Sequence, residues 1–144
     1  MAEPERLNVL LISGEFERAH YALAMASSAA ALDQAVTLFA TQGGVRAFLA
    51  DDGAGRPGWA GLRCTGEFAD ATDGAELDAR YRARGVAGFE DLLQACIGLG
   101  VEFMVCEMGV RALGLETAEL RADLPVHAGG LATLLARGGR LIVL

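Results

Sequence analysis

The sequence predicts an α/β fold: a three-layer α/β/α arrangement around a mostly parallel five-stranded sheet. Three observations lead there. Short, nearly continuous apolar runs recur at Leu7–Ser13, Ala35–Ala40, Val101–Cys106 and Arg140–Leu144. Such runs suit strands covered on both faces, the mark of a parallel sheet. Helix-patterned segments separate them, and strands alternating with helices imply right-handed crossovers. The 144 residues and 53% hydrophobic content suffice for one domain with its own core, so no disulfide framework or structural metal is required.

Taken in order, Leu7–Ser13 is the first strand and Gly14–Glu17 its turn. Arg18–Asp33 is rich in alanine, the best helix former, whose small side chain lets a helix lie close to a sheet. Ala35–Ala40 is the second strand, with a short helix expected over Val45–Leu49. Residues 51–88 break the pattern. Pro57 and the glycines at 53, 55, 58, 61, 66, 74, 85 and 88 predict a long irregular excursion, with one short helix near Ala75–Arg82. Long loops of this kind serve as lids or interfaces, or are simply mobile. From Phe89 the apolar positions Phe89, Leu92, Leu93, Cys96 and Leu99 have helical spacing. Val101–Cys106 is the next strand and runs straight into a helix over Glu107–Leu113. Thr117 can cap a helical turn over Ala118–Arg121, His127–Arg137 contains another helix, and Arg140–Leu144 is the last strand.

The net charge is −7, and all twelve basic residues are arginine. An acidic surface disfavours nucleic acid and anionic membrane as partners. No apolar run approaches the roughly 20 residues of a membrane span. The charged start Met1–Arg6 does not read as a signal peptide, and a cytoplasmic protein is expected. Three cysteines, Cys64, Cys96 and Cys106, cannot all pair within one chain and are expected as free thiols. No Cys/His spacing suits zinc, no glycine-rich phosphate loop is present, and Ser13 lacks the flanking pattern of a nucleophile elbow. No metal and no cofactor is expected.

Open parallel sheets bind ligands at the carboxyl ends of their strands. Those ends are Ser13-Gly14-Glu15, Thr41-Gln42-Gly43-Gly44 and Cys106-Glu107-Met108-Gly109. Only the third offers a strong nucleophile. Cys106 precedes a helix start, where backbone N–H groups favour thiolate; Arg111 adds to that effect and Glu107 opposes it. The ordinary alternative is a small buried residue ending a core strand. Cys96 reads as core. Cys64 has a second role open to it as a resolving thiol for Cys106. His20 and His127 read as core-edge or solvated residues. Glu15 and Glu17 read as carboxylates at a helix start, with an acid/base pair as the alternative.

The stretches LLISGEFERAHYALAMASSAAALDQAVTLFATQGGV, GFEDLLQACIGLGVEFMVCEMGVRALGLETAEL and the closing RLIVL resemble, in this order, the DsrE/DsrF-like family. The resemblance covers most of the chain outside Asp51–Gly88 and implies a single domain over residues 1–144. It also implies that Cys106 carries sulfane sulfur as a persulfide and passes it between protein partners. Cys106 is then the catalytic residue, with Glu15, Thr41, Gln42, Gly43, Met108 and Gly109 as pocket residues. It further implies a homo-oligomer, a trimer or hexamer. Gly109 stands where the Cys-x-Met branch of the family usually has serine. The alternative function is a non-catalytic oligomeric binding or assembly module in which Cys106 is structural.

Overall fold

The computed structural model describes residues 5–144. Its centre is a five-stranded sheet in the order β4-β3-β2-β1-β5, with every neighbouring pair parallel. The strands are β1 (Leu7–Leu11), β2 (Val36–Ala40), β3 (Glu102–Cys106), β4 (Val126–Gly129) and β5 (Arg140–Val143). The helices are α1 (Phe16–Ala31), α2 (Gly74–Ala83), α3 (Phe89–Gly98), α4 (Glu107–Ala112) and α5 (Leu131–Ala136). Helices flank the sheet on both sides, so the architecture is the three-layer α/β/α fold expected.

The two faces are built unequally. On one, Leu7, Val9, Leu11, Leu38, Phe103 and Val105 pack with α1 and α3 in the main core. Ala19, Ala22 and Ala26 of α1 are fully buried there, which accounts for the alanine content of that helix. Phe16, Phe48, Trp59 and Phe89 fill the space beyond, with Trp59 and Phe89 stacked at 5.2 Å between ring centroids. On the other face only Leu10, Phe39, Met104, Cys106 and Leu134 cluster, roofed by the six residues of α5. Ile12, Met108, Leu131, Leu135, Leu141 and Val143 remain exposed.

Several expected boundaries shift. β1 ends at Leu11; beyond it the Ser13 N–H, next in line for β2, turns instead to the Leu144 carbonyl that the Ile12 N–H also reaches. The expected helix at Val45–Leu49 is a 3₁₀ segment, Gln42–Phe48, and the turn at Ala118–Arg121 is a 3₁₀ turn over Thr117–Glu119. The helix expected within His127–Arg137 is only Leu131–Ala136, and Val126–Gly129 before it is strand β4. That strand is half-exposed and lacks the apolar run that marks the inner strands.

Residues 51–88 hold more order than their glycine content suggests. Besides α2 they contain 3₁₀ turns at Gly58–Gly61 and Gly66–Phe68. Trp59, Ala60, Leu62, Ala71 and Leu77 are buried in the main core. Asp78, itself buried, accepts a 2.7 Å hydrogen bond from the Phe89 N–H and so ties α2 to the start of α3. Arg56 bridges Asp52 at 2.7 Å and Asp73 at 3.0 Å, closing the loop on itself.

Candidate functional site

β3 is an inner strand, paired with β2 on one side and β4 on the other. Its side chains alternate, so Phe103 and Val105 face the main core while Met104 and Cys106 face the thin layer. Cys106 is the last strand residue and also the N-cap of α4, with extended backbone at φ −77° and ψ 119°. Its thiol makes no capping hydrogen bond to the helix. The first N–H groups of any helix lack intrahelical partners, so donors lie beside this residue.

Cys106 is 3% exposed. It borders a cleft of about 400 Å³ together with Glu107, Met108, Arg111, Gly130 and Leu131. Gly129 completes the wall and pairs in register with Cys106 across the β3–β4 ladder. A second opening of about 410 Å³ shares Glu107 and Arg111 and continues toward Glu116 and Thr117. One acidic and one basic side chain, Glu107 and Arg111, thus line the cleft with Cys106, which also clusters with Leu10, Phe39, Met104 and Leu134.

The residues named from the sequence fall into three groups. Cys106 and Met108 share the cleft. Thr41, Gln42 and Gly109 meet on the β2 side of the same strand end. A methyl group on Gly109 would lie 2.4 Å from Thr41 Oγ1 and 2.6 Å from the Gln42 nitrogen, so only glycine lets α4 dock here. Gln42 takes φ +50°, an uncommon backbone for a residue with a side chain. Gly43 faces Gly14, where a Cβ would come within 2.9 Å of the Gly14 nitrogen, and so it joins two turns rather than lining the sulfur cleft. Glu15 lies apart, after β1 and two strands from β3, where it pairs with Arg18 at 3.3 Å and Arg63 at 3.7 Å. Gly129, Gly130 and Leu131 were not singled out from the sequence; the Gly-Gly pair ahead of an apolar segment is the signal that marks them.

The other cysteines have different surroundings. Burial pushes the Cys96 thiol up to about 12, and its Sγ donates to the Leu23 carbonyl at 3.4 Å. Burial, and then the charge of Glu17, push Cys64 up to about 11. Cys64 packs against the main core whereas Cys106 belongs to the opposite face, so the two do not form a resolving pair. His20 is buried and donates from Nε2 to the Ala87 carbonyl at 2.8 Å, in line with a core-edge role. His127 is half-exposed and lies 3.2 Å from Glu102, which Arg137 also binds. No cluster of three or more metal-ligating side chains occurs among the described residues.

A parallel, doubly wound sheet with a cysteine at the junction of an inner strand and a helix defines the class. The chain belongs to the DsrE/DsrF-like family, whose family model matches residues 9–144. Among solved structures it is similar to the YchN protein of E. coli, at 13% identity and a TM-score of 0.58, over 98% of this chain and 100% of that one. It is also similar to MTH1491 of Methanobacterium thermoautotrophicum, described as a protein of unknown function, at 18% identity and a TM-score of 0.49, with the same coverage. No curated protein matches the chain.

Proposed function

We propose that the protein traffics sulfur, holding sulfane sulfur as a persulfide on Cys106 and passing it to a partner protein. Family membership supports a sulfur-relay setting. The single observation that carries the reading is that Cys106, at the end of β3, lines a cleft of about 400 Å³ together with Arg111 and Gly129. In the loading step the Cys106 thiolate attacks the outer sulfur of a donor persulfide. A sulfur–sulfur bond forms to Cys106 as the donor's breaks, and the donor leaves as a thiolate. In delivery an acceptor thiolate attacks that outer sulfur and Cys106 leaves as the thiolate. No net oxidation occurs in either step. Thr41, Gln42 and Gly109 hold the start of α4 in place, and Met108 forms part of the wall. Because Cys106 is buried, the donor group enters the cleft instead of meeting a protruding side chain.

The test is incubation with a small persulfide donor followed by intact-protein mass spectrometry. Wild type gains the mass of one sulfur atom, and Cys106→Ala does not. A gain that survives the substitution, or none in wild type, overturns the proposal.

One observation favours a second reading, an oligomeric binding module with an inert Cys106. The sulfur packs against Leu10, Phe39, Met104 and Leu134. Slow alkylation of Cys106 by iodoacetamide at neutral pH supports that reading, and fast selective alkylation supports transfer. Both readings share a homo-oligomer, a trimer or hexamer, as the working form. The exposed apolar side chains around α5 and β5 are the support for it. Among the described residues no helix is long and apolar enough to cross a membrane, and we place the protein's action in the cytoplasm, where thiols stay reduced.

A further inference from the structure

A second cleft, larger than the one at Cys106, lies elsewhere in the molecule. It measures about 720 Å³ and lies between the start of α1 and the loop that carries Thr65, within the size range of small-molecule sites, about 300–1,000 Å³. Its walls are mostly apolar and include Tyr21, Phe68, Tyr81 and Val86. Phe68 and Tyr81 meet edge to face at 5.7 Å, and Tyr81 meets His20 the same way at 4.8 Å, so the aromatic wall is fixed from behind.

The charges in this wall do not balance. Arg18 is the one arginine in this wall, and its guanidinium pairs with Glu15 at 3.3 Å. Arg63, just outside, pairs with the same carboxylate at 3.7 Å. His20 commits Nε2 to the Ala87 carbonyl. Among the described residues, Glu17 and Glu67 therefore have no paired cation. Glu17 Oε1 accepts a 2.6 Å hydrogen bond from the Thr65 N–H, while Oε2 is closed to water and has no hydrogen-bond partner among the described residues. An unpaired charge out of water is costly, and an opposite charge within about 4–6 Å relieves that cost. The negative potential is felt nearby. Burial first, and then Glu17, raise the Tyr81 hydroxyl, and the same two causes raise the Cys64 thiol.

We propose that this cleft binds a small organic ammonium ion with an aromatic or apolar body, with Glu17 as its counter-ion and the Tyr21, Phe68 and Tyr81 side chains around its body. Aromatic walls and a carboxylate in one cleft suit such a ligand twice over, because ring faces attract cations as well as apolar groups. The site is separate from Cys106, on the other face of the sheet, and does not depend on sulfur transfer.

The test uses three probes of matched size and different charge: phenethylamine, 2-phenylethanol and 3-phenylpropionate. Each is titrated into isotopically labelled full-length protein while backbone amide shifts are followed. Phenethylamine saturates and moves the amides of Glu17, Thr65, Phe68 and Val86, and the alcohol and the acid bind at least about tenfold more weakly. Glu17→Gln, which keeps an acceptor for the Thr65 N–H, weakens phenethylamine about tenfold and leaves the alcohol unchanged. Cys106→Ala binds the amine like wild type. Equal binding of amine and alcohol, shifts confined to other regions, or no saturation overturns the proposal. The charge series on wild type decides it alone if Glu17→Gln folds poorly.

Discussion

At the scale of single residues, Gly109 shows how the site is assembled. The first turn of α4 lies so close to Thr41 and Gln42 that a Cβ at this position has no room. Gly109→Ser, which restores the residue usual in the Cys-x-Met branch, should therefore destabilise this chain by about 1–3 kcal/mol, the ordinary cost of overpacking. Thermal unfolding of the variant checks this; unchanged or raised stability would contradict the close docking of α4. The same contact leaves no room here for a serine side chain beside Thr41 and Gln42. Cys64 and Cys96, pushed up to about 11 and about 12, stay protonated at neutral pH.

At the scale of elements, the 51–88 excursion is held by charge as well as by Trp59 and Leu77. Hydrogen bonds from Thr72, and then Arg80, hold the Glu76 carboxyl down to about 2. The Arg121 guanidinium holds Glu90 low, and Arg137 does the same for Glu102. In the unfolded chain a glutamate titrates near pH 4.3, about its ordinary value. The stability these carboxylates supply is complete above that pH and is lost as pH falls toward the lowered folded values. Urea midpoints should therefore drop steadily between about pH 4.5 and 2, and Glu76→Gln should flatten part of that slope. A midpoint independent of pH in this window would contradict the pairing. The sequence made the inner elements legible because their chemistry is local: β1, β2 and β3 are apolar runs, α1 is alanine-rich, and α3 has helical spacing. It left β4 hidden because a half-exposed edge strand needs no apolar run, and Val126–Gly129 is mostly polar or small. The order within 51–88 was hidden for another reason. Trp59, Leu62 and Leu77 are buried by tertiary contact, with no periodicity to announce it. In the site, Cys106 and Met108 were legible from the strand–helix junction. The separation of Glu15 was not, because strand order is not written in the spacing of strands along the chain.

At the scale of the whole molecule, the imbalance between the two faces of the sheet is the leading feature. Among the described residues, one face is covered by α1 and α3 and the other only by α5, with Leu141 and Val143 of edge strand β5 about half exposed. If this face is where copies meet, Leu141→Asp with Val143→Asp should shift the protein to monomer in sedimentation velocity while its circular dichroism stays native. A wild type that sediments as a monomer would remove that expectation. The central claim concerns Cys106, and peptide-level mass spectrometry after sulfur loading tests it most directly. The protein is exposed to a persulfide donor, capped with an alkylating agent, digested, and then compared with a sample discharged onto an acceptor thiol before capping. The account predicts one added sulfur on the peptide containing Cys106, none on those containing Cys64 or Cys96, and loss of that sulfur on discharge. Added sulfur on Cys64 or Cys96, or a Cys106 peptide that stays unmodified, would contradict it.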